Sequence, residues 1–381
     1  MDIQQQLYEL SLYAFNKPDS KERKTFFYHL LDHSQWYYHT EKDQVMNQLL
    51  STPFHIQYQQ QSLPMAGIGY VASYPEARGK GGIQSLFTKL LLDLKQEEIP
   101  FSLLAPFSQV FYRKFGYENV VKKTEIRFDH TAISFLKYPK QRYKYERTTF
   151  KEADIHQLQE IYQATLGKQN GTLDRQTWWW EYKQLKYPWH VAFIKKEDRY
   201  LGYMFYHMEN QTFHIEEIAT FSFDGLLALL QFAKGHSSTC QQFIFSAAPK
   251  EFSFAFTDTQ GLTIQTKDYM MGRIVDFAQF QSYLMMPSIS SDTDLCQIYI
   301  QDDSASWNTG TWSYMDQQWV KISEEQLSNV HYAGSIQAWT MFFFGTSSLE
   351  ELLLTEELQC LCSHPLLQQY EISSPNLYDY F

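Results

Sequence analysis

The sequence predicts an α/β chain in which one unit occurs twice and an α+β segment follows, and three observations carry that expectation. Residues 54–107 read strand, glycine loop, helix, strand, which is the order of an α/β crossover. Much the same order returns between residues 154 and 249, this time without basic residues in the loop. From Asp294 the pattern turns strand-like and then helical. At 381 residues the chain exceeds one average core, and 44% hydrophobic with 17% aromatic residues suffice to fill two or three.

Taken in order, the first 50 residues have amphipathic helical spacing, clearest over Ile3–Phe15 and Lys21–His33. "FHIQYQQ" and "LPMAGIGYVASY" follow as strands around a polar turn. Behind "YPEARGKGG", residues Ile83, Leu86, Phe87, Leu90, Leu91 and Leu94 share one helical face that ends near "KQEEIP". "FSLLAPF" then has the look of a buried strand. Parallel strands joined in this way hold a ligand at their carboxyl ends, where the glycine loop lies. A composition change at Tyr138–Phe150 marks a linker. Beyond it come a helix ("DIHQLQEIYQATL"), a strand ("WHVAFIKK"), a hairpin ("RYLGYMFYHMENQTFHIEEIAT"), a helix ("DGLLALLQFAKG") and a strand ("QQFIFSAAP"). "YMMGRIVDFAQFQSYL" reads as the connection into a third unit of strands ("LCQIYIQDD", "GTWSYM", "QQWVKIS") and of helix from Ser335 through "SLEELLL". The expected domains are therefore 1–145, 146–272 and 273–381. The tail "EISSPNLYDYF" has no helical stripe, yet Leu377, Tyr378, Tyr380 and Phe381 are costly to leave in water.

Charge narrows the partners. With 32 Lys+Arg against 43 Asp+Glu the net charge is −11, so no nucleic acid and no anionic membrane is expected, and cationic small molecules are favoured. The densest apolar runs, Leu226–Leu230 and Phe342–Phe344, fall far short of the ~20 residues of a membrane span. "MDIQQQLYEL" lacks a basic n-region and an apolar h-region, so a cytoplasmic protein is expected. Four unevenly placed cysteines suit a reducing compartment. Cys360, Cys362 and His364 in "CLCSH" offer metal-ligating atoms, but their spacing is not the usual zinc gap and no second Cys/His pair is near, so no metal is expected.

The opening of the first crossover helix is the chemically informative stretch. No Ser or Thr follows "GK", which excludes a nucleotide-triphosphate loop, and the G-x-G of "GIGYVA" lies inside a strand, where a dinucleotide fingerprint does not belong. What remains is Arg78, Gly79, Lys80, Gly81 and Gly82 at a helix N-terminus, whose free N–H groups and dipole attract a pyrophosphate. On those residues alone a flexible surface turn is an equal alternative. In the second copy Asp224 stands at the corresponding helix start, where a carboxylate caps the helix and repels phosphate, so that copy is read as structural.

"LLAPFSQVFYRKFGYE", Leu103–Glu118, follows the next strand and therefore lies at the same sheet edge. Together the two stretches resemble the GNAT superfamily of acetyl-CoA-dependent N-acetyltransferases. Arg78 and Gly81 match its Arg/Gln-x-x-Gly-x-Gly/Ala pattern, and Ile83 departs from the final small position. With the aromatic C-terminus ending in Phe381, the whole chain is similar to the enhanced intracellular survival (Eis) family. The resemblance implies two tandem GNAT-like folds, only the first active, followed by a sterol-carrier-protein-like α+β domain, in a hexamer. It also implies that Val71, Ala72 and Ser73 offer backbone groups to the pantetheine and thioester of acetyl-CoA, and that Arg78, Gly79, Lys80, Gly81, Gly82 and Ile83 hold its pyrophosphate. Tyr112 becomes the general acid and the Phe381 carboxylate the general base. The alternative for Tyr112 is a packed aromatic. Asp379 is read either as an attractor for a cationic acceptor or as a solvated tail charge.

The expected function is transfer of acetyl to a primary amine of a polyamine, an aminoglycoside-like molecule or a lysine side chain. The alternative is an inactive relative that binds an apolar ligand through its third domain. "TWWWEY", Thr177–Tyr182, is expected in a core or at a domain contact, because adjacent tryptophans on a helix cannot share one face.

Overall fold

A computed structural model describes residues 2–247, 249–287, 295–322, 330–362 and 364–381; Asp294, the expected start of the strand-like segment, Ala248 of "QQFIFSAAP" and Ser323 of "QQWVKIS" lie outside them. Two helices open the chain, α1 (Ile3–Ala14) and α2 (Lys21–Asp32), the second capped by the Ser20 hydroxyl accepting from the Arg23 N–H. The helical expectation for the rest of the first 50 residues is wrong. β1 (Gln35–Glu41) and β2 (Gln44–Tyr58) form an antiparallel hairpin about Lys42 and Asp43, both at positive φ (50° and 63°). Two left-handed residues make the turn that matches strand twist. The part of β2 before Phe54 was missed because residues 45–52 are buried in succession, so no period-two alternation announces it.

β3 (Gln61–Ser73) returns along β2, and α3 (Gly82–Gln96), β4 (Phe101–Leu104) and α4 (Gln109–Arg113) follow. The Leu86, Phe87, Leu90, Leu91 and Leu94 face of α3 is buried against this sheet. β5 (Glu118–Asp129) leads out of the segment.

Next come β6 (Lys144–Thr149), α5 (Ile155–Ala164), α6 (Thr177–Lys186), β7 (His190–Lys196), β8 (Arg199–Glu209), β9 (Thr212–Thr220), α7 (Phe223–Lys234) and β10 (Gln242–Phe245). β6 runs through the expected linker and pairs with β7. β11 (Thr263–Ile274) then corrects a second expectation. Its last residues, read as a connection, are a strand antiparallel to β4, with Met271 opposite Leu104 and Ile274 opposite Phe101. After α8 (Phe277–Phe280) come β12 (Cys296–Gln301), β13 (Gly310–Met315), β14 (Gln318–Lys321), β15 (Tyr332–Ser335), α9 (Ile336–Phe344), α10 (Leu349–Leu354), β16 (Leu358–Cys360) and α11 (Pro365–Gln368). These strands make a separate sheet in the order β14-β13-β12-β15-β16.

Contacts divide the chain into two compact units, Met1–Val121 with Tyr269–Phe381, and Lys122–Asp268. The C-terminal sheet thus packs with the N-terminal fold. Within the second unit, β9 is parallel to β10 and antiparallel to β8, and α7 covers them with a face of buried leucines. Trp179 and Trp180 are both buried in this unit. Among the described residues no helix is long and apolar enough to cross a membrane.

Arg273 joins the two ends of the first unit. Its guanidinium donates to the Phe115 carbonyl and, at 2.6 Å, to Asp302, with both side chains fully buried. The Asp302 carboxylate also accepts from the Ser304 and Ala305 N–H groups and from Asn308 Nδ2, so the buried charge is fully engaged. Asp302→Ala strands the Arg273 charge and should destabilise the first unit by about 3–5 kcal/mol, whereas a shape-matched apolar pair at 273 and 302 should recover most of that loss. Chemical denaturation followed by tryptophan fluorescence checks both; an Asp302→Ala protein as stable as the parent removes Arg273 from this role.

Candidate active site

β3 and β4 run parallel only from Met65 opposite Phe101 to Ile68 opposite Leu104. β4 then stops and β3 continues for five residues, so the strands part at Gly69. On the β2 side the register slips at the same place, with Leu50 opposite Gly69 but Gln48 opposite Ala72. The extra residue is a β-bulge, marked by Tyr70 at φ 52°. Beyond Ile68 the β4-facing edge of β3, which includes Val71, Ala72 and Ser73, has no strand partner among the described residues. It is an open row of backbone donors and acceptors.

The glycine loop stands at the end of this edge. Gly79 and Gly81 are left-handed (φ 76° and 79°), and a Cβ on either would meet open space, so these two glycines serve conformation. Gly82 serves contact. A Cβ there would come within 2.5 Å of Asn47 Nδ2, and Asn47 Oδ1 accepts from Ser73 Oγ at 2.7 Å. Gly81 caps α3 without a side-chain bond, so the first N–H groups of the helix are left for an anion. Arg78 and Lys80 flank them, Lys80 lying 3.9 Å from Glu41 at the surface. Ile83, the departure from the small-residue pattern, packs against the helix–sheet core.

Tyr112 lies on α4, whose N-cap Ser108 accepts from the Phe111 N–H. Its ring is enclosed by Phe87, Phe107, Phe111 and Tyr117, and its hydroxyl makes no hydrogen bond among the described residues. Burial pushes the pKa of this hydroxyl well up, and Tyr117 and Tyr380 push it further in the same direction. Tyr380 belongs to the C-terminal tail, so the tail reaches the neighbourhood of Tyr112.

The chain terminus sits at the strand divergence. Phe381 is only 6% exposed, and its ring lies 5.4 Å from that of Phe54. A Cβ on Gly67 would come within 2.8 Å of that ring, and one on Gly69 within 3.1 Å of the terminal carboxyl carbon. The G-x-G that is no dinucleotide fingerprint is therefore the seat of the last residue. Gly67 clears room for the ring and Gly69 for the carboxylate. Tyr269 donates to the Asp379 carbonyl at 2.8 Å and holds the tail down. Asp379 is 2% exposed, which overturns the solvated-tail reading. Gly67, Gly69, Phe54, Tyr269 and Tyr380 were missed as site residues, and the two glycines, two residues apart on one strand face, were the available signal.

The second unit repeats the geometry with different contents. β9 pairs with β10 as far as Ile215 opposite Phe245, and a bulge at Glu216 follows, since Tyr206 faces Ile215 while Phe205 faces Glu217. Beyond that point Glu217 receives a bidentate bond from Arg175 and one from Tyr203, all three buried. Arg175 stacks over Tyr162 and Trp180 at 3.9 and 4.7 Å, and Lys183 lies 4.0 Å from Glu217. The cap of α7 is Ser222, accepting from the Gly225 N–H. Asp224, expected to be the cap, instead accepts from the backbone of Lys140 and Gln141 and from the Tyr143 hydroxyl.

Two models of an acetyltransferase (GNAT) domain match the sequence, over residues 2–120 and 171–274. The chain belongs to the GNAT acetyltransferases. A conserved protein of unknown function from Enterococcus faecalis, described as a probable N-acyltransferase, is 29% identical with a TM-score of 0.89, the match covering 99% of this chain and 97% of that one. A GCN5-related N-acetyltransferase from Anabaena variabilis (21% identity, TM-score 0.83) and Eis1 from Mycobacterium abscessus (14%, 0.79) match over the same shares and have the same fold. This GNAT protein thus shares the fold of Eis1 over 99% of its length. No curated protein sequence matches it.

The Phe381 seat has a direct test. Carboxypeptidase A should release Phe381 slowly from the folded parent, and Gly67→Ala, whose methyl group occupies the ring's space, should speed that release by about tenfold or more, the fraction of time the tail is open setting the rate. Mass spectrometry of the intact chain reads the loss. Equal rates in the two proteins would mean the ring is not seated at Gly67.

Proposed function

We propose that the first GNAT domain transfers acetyl from acetyl-CoA to a primary amine of a cationic small molecule, aminoglycoside-like or polyamine-like, or of a lysine side chain, with Tyr112 as general acid and the Phe381 carboxylate as general base. The observation that carries this reading is the terminal carboxyl group against Gly69, at the point where β3 leaves β4. Acetyl-CoA would lie along the open edge of β3, its pantetheine on Val71, Ala72 and Ser73 and its pyrophosphate on Arg78–Ile83. The amine nitrogen attacks the thioester carbon, its proton passes to the Phe381 carboxylate directly or through water, and the carbon–sulfur bond breaks as Tyr112 protonates the departing sulfur.

The proton balance sets requirements. A departing thiolate whose thiol has pKa ~8.5 takes a proton from a phenol of ~10 at a cost of about 2 kcal/mol, and the raised pKa of Tyr112 adds to it. Transfer must therefore accompany bond cleavage, and the same high pKa keeps Tyr112 protonated before each turnover. A carboxylate of pKa ~3.3–3.7 is ionised at neutral pH, and its weak basicity is offset by position. A cationic acceptor is supported by the aromatic surface beside the bulge, where Tyr13 packs on Tyr74 and both Phe15 and Phe27 pack on Tyr70, with Glu9 and Glu76 acting on Tyr74. One coenzyme binds per chain in this reading, the second domain being structural. The C-terminal domain is sterol-carrier-like and the assembly a homo-oligomer, a hexamer by its likeness to the Eis family, without metal, nucleic acid or membrane in the reaction.

Deleting Phe381, or extending the chain by a few residues, should lower kcat by roughly 10²-fold or more while acetyl-CoA affinity by calorimetry is retained. Thiol release with a panel of amines reads turnover. Full activity in an extended protein whose extension is intact by mass spectrometry would return the base to another group.

Tyr112→Phe keeps the packing and removes the proton, so kcat should again fall roughly 10²-fold with coenzyme binding unchanged. Because the shift of Tyr112 is upward, no alkaline loss of activity from this group should appear below pH ~10 in the parent's profile. A kcat within a few-fold of the parent would leave Tyr112 a core residue.

A further inference from the structure

The second unit holds a cluster of side chains that acetyl transfer does not use. His207 on β8 and His214 on β9 are direct cross-strand partners, their rings 4.5 Å apart and 2° from parallel. Glu216 is the extra residue of the β9 bulge, and its Oε1 lies 3.5 Å from His207 Nδ1. One potential ligand atom from each of the three residues falls within a sphere of mutual distances below 4.8 Å. His207 Nδ1 is closed to solvent and makes no hydrogen bond, so the 3.5 Å approach to Glu216 is no substitute for one.

That distance has another meaning. Two ligand atoms bound at about 2.0–2.1 Å around a tetrahedral metal stand roughly 3.3 Å apart. The Nδ1–Oε1 gap is close to that value, and His214 offers a ring nitrogen within 4.8 Å of both atoms to complete three corners.

We propose that His207, His214 and Glu216 form a binding site for a divalent metal ion, zinc by its donor set of two imidazole nitrogens and one carboxylate oxygen, with the fourth position left to water. Burial holds both imidazoles toward the neutral form, whose lone pair is the ligand. It also disfavours the Glu216 carboxylate charge, which a dication compensates. The charges facing the cluster are mixed. Lys123 and Lys183 act on Glu216 and Arg127 on His214, opposed by Glu209 and Glu217. A bound ion joins β8 to β9 at the bulge, where the ladder is interrupted.

The test uses the full chain without a polyhistidine tag, stripped with EDTA and titrated with zinc by calorimetry. One equivalent should bind at roughly micromolar affinity or tighter. Zinc should raise the Tm of the parent, as any ligand specific to the folded state does. The double variant His207→Gln/His214→Gln should lose both effects, and Glu216→Gln, nearly isosteric and suited to the case in which the double variant misfolds, should weaken binding by about tenfold or more. Cys360→Ser/Cys362→Ser should bind as the parent does. The proposal is overturned if the stripped parent binds no zinc, if Glu216→Gln and the double variant bind it unchanged, or if binding disappears with the cysteines.

Discussion

Two parallel strands that pair for four residues and then separate impose the constraint on which this structure depends. Peptide groups along a separated edge cannot be left dry and unpaired, so something polar must enter the gap. At β3 and β4 the gap opens beside the bulge at Tyr70, with a glycine loop at its far end and the chain's own terminus at its near end. The bulge interrupts the edge, the left-handed Gly79 and Gly81 turn the chain into α3, and Asn47, which accepts from Ser73 Oγ, packs against Gly82. These features are chemically connected because they serve one opening.

At β9 and β10 the same opening is closed from within. Glu217, just past the divergence, is a buried carboxylate, and Arg175 meets it with two hydrogen bonds while Tyr162 and Trp180 cover the guanidinium. A buried ion pair of this kind adds little net stability over an apolar filling, since desolvation consumes most of the attraction, but removing one partner is severe. Arg175 occupies the region past the strand divergence, Ser222 caps α7, and Asp224 is held by the Lys140–Tyr143 segment. The second copy has kept the strand divergence and filled the space that it creates.

The sequence made the repeated order, the basic glycine loop and the aromatic helix after β4 legible, because each depends on local patterning or on residues with special backbone freedom. It concealed β1, which is mostly exposed and polar, most of β2, where consecutive burial erases alternation, and the last half of β11, where a buried Arg273 interrupts an otherwise apolar strand. The seat of Phe381 was hidden for a different reason. Gly67 lies against Phe54 and, like Gly69, against a residue more than 300 positions away, and no local rule for a G-x-G within a strand anticipates that distant partner. Of the two readings of Asp379, the solvated tail charge failed because a polar tail is expected in water, whereas here Tyr269 and the Phe54 ring draw the last residues inward.

The seat of Phe381 at Gly67 and Gly69 lies within the same compact unit that joins the C-terminal sheet to the N-terminal fold. A carboxylate must be held to a fraction of an ångström to act on a neighbouring amine, and a free tail would spend most of its time elsewhere. The terminus is restrained through a chain of buried contacts. Arg273 bonds the Phe115 carbonyl, close to Tyr112, and Asp302 of the C-terminal segment. Tyr58 of β2 donates to the Phe343 carbonyl of α9, and Tyr370 donates to the same carbonyl. From Tyr370 only eleven residues lead to Phe381, which bounds how far the terminus can wander. The segment that carries Phe381 is therefore anchored on β2 and on the residues next to Tyr112, and in the proposed transfer the placement of the carboxylate rests on that anchoring as much as on the glycines beneath it.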